Sequence, residues 1–525
     1  MIAGHRPKSP NARPIAIKPY ATPATGWRRW WKPAAAIPLA FFFLVYGFFY
    51  ALTTPYLISL FAAPLGILAL VAIWALPELK DAPTRTMERF FLAFFLCLFI
   101  WPNYLAIALP GLPWITLLRL TGIPMALLLL ISISTSKSFR QELGQILNSA
   151  PVVWKMFAAF VAIQFFTIGL SSNPPASIQK FIVFQTNWTA IFLVSCYVFI
   201  VPGKIGKYLT LLWAVALVVT GIGLWEGAIQ KVVWQGHVPS FLKIDDAAGI
   251  LAGDYRSASG VYRVKGTSTT SLGLAEFLAI VMPFLLHFAF GNFGMRTRIA
   301  ALVSIPVVFY VIDSTDSRLG MVGVLIAVLL YVLSWGLLRW RRFKSSVIGP
   351  AIVLAYPVFF VGLVGATFFI RRLEMMVWGS QATASSDDAR GAQIARGLPK
   401  IFANPIGYGP GQGGNVLGFK IGSFQTIDNY YLLIALEYGV IGFILYYGII
   451  LYLIWISGKH ILLQRIGGDP EFDYLIPLAI ALAQFFVIKS VFSEQGNHPL
   501  IYVIMGMIIA IVYRMSKAAG GQKPA

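Results

Sequence analysis

Three arginines and one carboxylate stand out by type and placement: Arg263, Arg318, Arg390 and Asp428. Each lies beside or within a polar stretch that borders strongly apolar runs, where a charge keeps contact with water yet stays near a membrane face. A guanidinium offers a planar fork of donors matched to phosphate oxygens. A carboxylate at the same level can take a proton from an attacking hydroxyl. This set could therefore move a group off a membrane-bound diphosphate. The arginines would stabilise the departing charge, and Asp428 would act as base or orient the acceptor.

The surroundings of each candidate allow a second reading. Tyr262-Arg263-Val-Lys265-Gly266 runs through Thr-Ser-Thr-Thr into Ser271-Leu-Gly273-Leu-Ala-Glu276, a hydroxyl- and glycine-rich helix entry. Free backbone N–H groups and the helix dipole favour an anion at such an entry. Ordinary capping by Ser271, with Arg263 among lipid headgroups, is the plainer alternative. Glu276, about one turn inside, either pairs with an arginine or makes a polar helix–helix contact. Arg318 follows Asp313-Ser-Thr-Asp316-Ser317 in a very short connection, so either aspartate could neutralise it in place of a bound diphosphate.

Residues 371–428 form a long polar loop, expected to contain short helices. Ser385-Ser386-Asp387-Asp388 is a helix-start signal. Ile394, Leu398, Ile401 and Phe402 then follow helical spacing as one apolar stripe. Arg390 borders that stripe, Arg396 and Lys400 point largely away, and Pro399 is expected to kink or shorten the helix. Asn404-Pro-Ile-Gly407-Tyr-Gly409 continues as a glycine-rich turn, able to approach a substrate closely or merely to bend. Asp428-Asn429 precedes an apolar run containing Gly439 and Gly442. Asp428 sits where a helix cap belongs, which competes with its role as a base.

Composition selects the elements that must position these groups. Of 525 residues, 58% are hydrophobic, 12% charged and 15% aromatic, and the mean hydropathy is +0.75. A soluble chain could not hide that much apolar surface. Apolar runs of about twenty residues recur without alternating strands, which points to an all-α, polytopic transmembrane helical bundle rather than a barrel. Cys97 and Cys196 lie inside apolar runs as small hydrophobes, and the five histidines show no metal-ligand spacing. No metal and no cofactor are expected.

Fourteen spans are expected, beginning near 34, 56, 90, 112, 151, 186, 208, 270, 299, 319, 347, 429, 474 and 498. Residues 1–33 read as a basic, disordered cytoplasmic tail, 34–514 as the transmembrane domain and 515–525 as a cytoplasmic tail. The net charge of +21 is dispersed between spans, so topology rather than nucleic acid explains it. Most Lys and Arg fall in the tail and in every second connection, among them RWRRFK at 339–344. This bias places both termini in the cytoplasm. Two long loops, 225–269 and 371–428, then lie on the outer side and suggest extracytoplasmic chemistry. Arg119, inside the fourth span, is the clearest basic residue at depth, where a transporter would keep its binding charges.

The order of these motifs resembles the O-antigen polymerase and O-antigen ligase superfamily of bacterial surface polysaccharide synthesis. Over residues 260–445 the chain shows a loop arginine before a Gly/Thr-rich helix start (Arg263) and Ser317-Arg318 opening a span. The long loop follows, with Arg390, then Asn404-Pro405 with Gly407 and Gly409, then Asn429 with Gly439 and Gly442. Ligases of the superfamily typically carry His-Asn at the closing segment. Asp428-Asn429 here looks more like Wzy-type repeat-unit polymerases.

The resemblance implies an inverting, metal-independent glycosyl transfer from an undecaprenyl-diphosphate-linked glycan at the periplasmic face of the inner membrane. Asp428, Arg318 and Arg390 would then be catalytic. Arg263, Arg396, Asn404, Gly407, Gly409, Asn429 and Glu276 would bind substrate. Membrane lipid, a chain-length regulator and export machinery would be the partners. A ligase acting on lipid A core and a transporter of lipid-linked solutes are the competing readings.

Overall fold

The computed structural model describes residues 58–79, 81–108, 114–244, 247–255, 260–371, 374, 381–421, 424–425, 427–463 and 469–520. The basic tail 1–33 and the span expected near 34 lie outside the described residues.

In chain order the helices are α1 (Ile58–Ala75), α2 (Thr84–Ile100), α3 (Leu117–Thr135), α4 (Lys137–Leu147), α5 (Pro151–Ile168) and α6 (Pro174–Phe184). A π-helical turn, Gln185–Thr189, joins α6 to α7 (Ala190–Val198). Next come α8 (Lys204–Ile229), α9 (Ala247–Leu251), α10 (Ser271–Phe290), α11 (Met295–Ser314), α12 (Arg318–Arg342) and α13 (Ile348–Phe369). The long loop supplies α14 (Gln381–Ala403) and α15 (Gly413–Leu417), before α16 (Tyr430–Leu463), α17 (Leu475–Ile488) and α18 (His498–Gly520). Strands among the described residues are two-residue pieces in three antiparallel pairs, one of them Asp254–Tyr255 with Tyr262–Arg263. The all-α class expected from composition is what the chain adopts.

Eleven helical segments among the described residues are long and apolar enough to cross a membrane. They match the fifth to fourteenth expected spans and the fourth. α1 stands where the second is expected, and α2, of 17 residues, where the third is expected. Arg119 falls in the first turn of α3, donating to the Trp114 carbonyl at 2.6 Å, so its charge sits at a helix end rather than at depth.

The chain divides into two compact units. The described residues up to Thr84 and Leu130–Gln141 form the smaller one, where Ser134 donates to the Ile73 carbonyl at 2.7 Å and Arg140 pairs with Glu78 at 3.3 Å. Every candidate site residue belongs to the larger unit. Its centre is α10, buried along nearly its whole length, with α17 and α18 also largely covered. Apolar burial against lipid supplies little drive between spans, so close packing over small residues must hold them. On α12, a side chain at Gly323 would come within 2.8 Å of Ala279, and one at Gly320 within 3.0 Å of Ala275, both on α10. Leu319 completes this seam with Ile488 and Phe492. The seam fixes where Arg318, the first residue of α12, must sit.

At the opposite end, Glu471 accepts the Gly203 and Gly206 N–H groups, each at 2.8 Å, and Arg514 at 2.6 Å. Arg514 also pairs with Asp469, and Lys204 meets Glu88 at 2.6 Å. The basic end of α12, Arg339 to Arg342, lies at this same end.

The second long loop departs from expectation in three ways. Its main helix is 23 residues long, not short, and starts at Gln381, four residues before the predicted signal. Pro399 neither ends nor shortens it, since the helix runs on to Ala403. Of the apolar stripe only Ile401 packs: Ile394, Leu398 and Phe402 are exposed, and Gln393 and Gly397 are buried alongside Ile401. Gly397 explains the choice, because a Cβ there would come within 2.5 Å of Leu432 on α16. A close backbone approach outweighs the wider apolar edge, which stays exposed.

Candidate active site

The carboxylate comes first. Asp428 is half-buried just ahead of α16. The cap is Asn429, whose Oδ1 accepts from the Tyr431 N–H at 2.8 Å and the Leu432 N–H at 3.1 Å. Asp428 is held from α14 instead. Gln393 donates Nε2–H to Asp428 Oδ2 at 3.3 Å and accepts the Asp428 N–H at 2.9 Å. Arg390 lies three residues before Gln393, on the same face of α14, and is half-buried. Arg390 thus lies one helical turn from the residue that holds Asp428. Asn429→Ala should lower the thermal midpoint, at a cost of about 1 kcal/mol, and leave the turnover of correctly folded protein near wild type. A scan in detergent with a parallel activity assay checks both.

Arg396, by contrast, is exposed and lies over the Phe419 ring at 5.3 Å. Lys400, expected to point away, is half-buried and donates to the Val416 and Leu417 carbonyls. It ties α14 to α15.

The second pair is Arg263 and the turn before Arg318. Arg263 Nε donates to the Thr315 carbonyl at 3.1 Å, and its Nη1 lies 3.7 Å from Asp254 Oδ2. The Val264 N–H donates to Ser314 at 3.1 Å, so the strand carrying Arg263 is laid along the end of α11. Asp316 takes a left-handed conformation (φ 47°) that lets the chain reverse into α12. Ser317 precedes the helix but its hydroxyl does not cap it. Arg263 and Arg318 therefore flank one tight turn. Beside them Glu226 accepts from Tyr262 at 2.7 Å and from the backbone of Lys265 and Gly266. Burial pulls the Lys265 ammonium below its ordinary range, opposed by Glu226 and Asp254.

The helix entry expected to attract an anion has one of the chain's own. Thr270, not Ser271, caps α10, accepting the Gly273 N–H at 3.1 Å. Its hydroxyl donates to Glu494 Oε2 at 2.5 Å, which seats that carboxylate over the first turn. Burial pushes the Glu494 carboxyl above its usual range and Glu276 adds to this, while the Thr270 hydroxyl and Lys489 pull it back. Ser271 turns to Asp254 at 2.8 Å. Glu276 is fully buried and pairs with Lys489 at 2.8 Å, a lysine rather than an arginine.

Asn404, Gly407 and Gly409 build a turn seated in a helix rather than open to a ligand. Asn404 closes the turn on the Gly407 carbonyl at 2.9 Å. α16 breaks at Gly439 (φ 67°, ψ −172°), which exposes backbone groups that the turn takes up. Tyr408 and Gly409 donate to the Leu436 and Glu437 carbonyls, and Val440 donates to Pro405, each at 2.9 Å. A Cβ at Gly407 would lie 2.5 Å from the Glu437 carbonyl oxygen. Glu437 itself is buried, facing Lys180 and the Gly411 and Gly413 amides.

Residues 427–430, 263–276 and 313–320 are thus joined at one end of the bundle through residues 489–497. Sequence reasoning passed over Gln393, Lys489, Ser493 and Glu494. Gln393 carried no charge to mark it, whereas KSVFSEQGNH at 489–498 was a visible polar interruption between two apolar runs. Among the described residues there is no group of three or more His, Cys, Asp or Glu that could hold a metal ion.

Residues 299–447 match the family model described as O-Antigen ligase. This supports the O-antigen ligase and polymerase superfamily over that segment, and the apolar helices are those of a multi-pass membrane protein. The family segment runs from α11 through the break in α16, so it holds Arg318, Arg390, the seated turn and Asp428. It leaves out Arg263, Glu276 and the 489–497 connection. No curated protein matches the chain.

Proposed function

We propose that the chain is a polymerase of undecaprenyl-diphosphate-linked oligosaccharide repeat units, building an O-antigen or exopolysaccharide at the periplasmic face of the inner membrane. One observation carries this reading most directly. Asn429 caps α16, and Asp428 beside it is held by Gln393, one turn from Arg390. A carboxylate kept in place by a neutral amide, beside a cation, suits proton transfer next to an anionic leaving group.

In the proposed reaction an acceptor sugar hydroxyl attacks the anomeric carbon of the donor. The new O–C1 bond forms as the C1–O bond to the diphosphate breaks, and the diphosphate leaves with the electron pair. Asp428 takes the hydroxyl proton. Arg390, Arg318 and Arg263 hold the growing negative charge. Attack from the face opposite the leaving group inverts the anomeric centre. The basic residues of α12 and α18 gather at the far end of the bundle with Lys204, which supports a cytoplasmic face there and a periplasmic site. A chain-length regulator and export machinery are the partners such a polymerase would need.

Purified protein supplied with a synthetic polyprenyl-diphosphate oligosaccharide should produce a ladder of longer products. Transfer to a lipid A core instead would identify a ligase, the second reading, which the family description favours. With neither product, the reading fails. Arg390→Glu should abolish the ladder while membrane expression stays normal; persistence of the ladder would remove Arg390 from the site.

A further inference from the structure

The connection between α17 and α18, residues 489–497, grips both halves of the site. Toward α16, the Lys489 carbonyl accepts the Tyr430 N–H at 3.0 Å, and the Ser493 hydroxyl donates to the Ile427 carbonyl. These two bonds flank Asp428 on either side. Toward α10, Lys489 Nζ pairs with Glu276 at 2.8 Å. Asn497 Nδ2 donates to Glu276 Oε2 and to the Gly273 carbonyl, each at 2.9 Å. Thr270 donates to Glu494, and Lys489 Nζ also donates to the Glu494 carbonyl at 2.6 Å, closing the connection on itself.

Lys489 has no exposed surface and lies among the Tyr430, Phe485 and Phe492 rings. It cannot touch a substrate. A buried lysine–glutamate pair is also a poor device for stability, because apolar residues of similar volume often serve as well or better. What the pair does supply is direction: it joins the segment bearing Asp428 to the helix that continues from the Arg263 strand.

We propose that Lys489 and Glu276 are positioning residues that fix Asp428 relative to the arginines on the other side of the site. This rests on the glycosyl-transfer reading above. Reacting groups misplaced by about 1 Å can lose on the order of a hundredfold in rate, so a brace of this kind acts on turnover rather than on binding.

The test uses the full chain in nanodiscs, with a synthetic polyprenyl-diphosphate oligosaccharide as donor. The double variant Lys489→Met/Glu276→Met removes both charges and keeps the volume. Its thermal midpoint should stay near wild type while kcat falls at least tenfold and KM for the donor is unchanged. A wild-type kcat, or a rise in KM with kcat intact, overturns the proposal. If the double variant does not fold, Ser493→Ala decides: it loses only the tether to Ile427 and should lower kcat severalfold, and an unchanged kcat overturns the proposal. Asp428→Asn is measured alongside. Loss of activity there with an active double variant sinks the brace alone, whereas an active Asp428→Asn sinks the underlying reading.

Discussion

Asp428→Asn should lower chain extension by about 10²- to 10⁴-fold, the usual contribution of a positioned general base, with little change in thermal stability. The substitution is nearly isosteric, and an amide oxygen can still accept from Gln393. The α16 cap is untouched, since Asn429 provides it through two backbone N–H groups. What disappears is the capacity to accept a proton. Asp428→Ala would lose the Gln393 bond as well and should be less stable than Asp428→Asn. Product ladders from purified variants, compared at equal amounts of folded protein, check the prediction. An Asp428→Asn variant with wild-type ladders would leave the residue a purely structural role, holding α14 against α16.

The second large effect is expected from Gly439→Ala. At φ 67° and ψ −172° the backbone lies in a region that only glycine occupies readily, so any side chain there costs about 1–3 kcal/mol in strain. Space is a further obstacle. A Cβ at Gly439 would overlap the Pro405 carbonyl oxygen and the Ile406 backbone. Neither contact is a flexible side chain that could move aside. The turn at 404–409 would have to lift out of the helix break and lose its three backbone bonds to α16. The expected outcome is low membrane yield, and protease sensitivity across 404–413 in any protein that accumulates. Gly442→Ala is a weaker test, because its neighbour there is the Tyr438 side chain of the same helix. Normal yield and protection for Gly439→Ala would mean that the turn is not seated in the break.

Composition and apolar run length were enough to read the helical class and eleven of the expected spans almost one for one, because bilayer thickness fixes both. The motif order around Arg263, Arg318 and the long loop was legible for a related reason: charges beside spanning helices have few places to go. Local spacing misled where two backbones meet. Ile394, Leu398, Ile401 and Phe402 form the obvious stripe, yet only Ile401 packs and Gly397 decides the packed face. Glycine's poor helix propensity gives no hint that Gly439 would interrupt α16 to receive a turn from thirty residues upstream. The same limit hid Lys489. Its partner Glu276 lies more than two hundred residues away, and no local pattern links them.

The seating of residues 405–409 in the broken α16 also constrains how such a protein could work. A segment tied by its main chain to a membrane-crossing rod cannot swing as a lid opens and shuts. If this end of the bundle lengthens a polymer, the sugar chain itself has to advance past a stationary anvil after each addition.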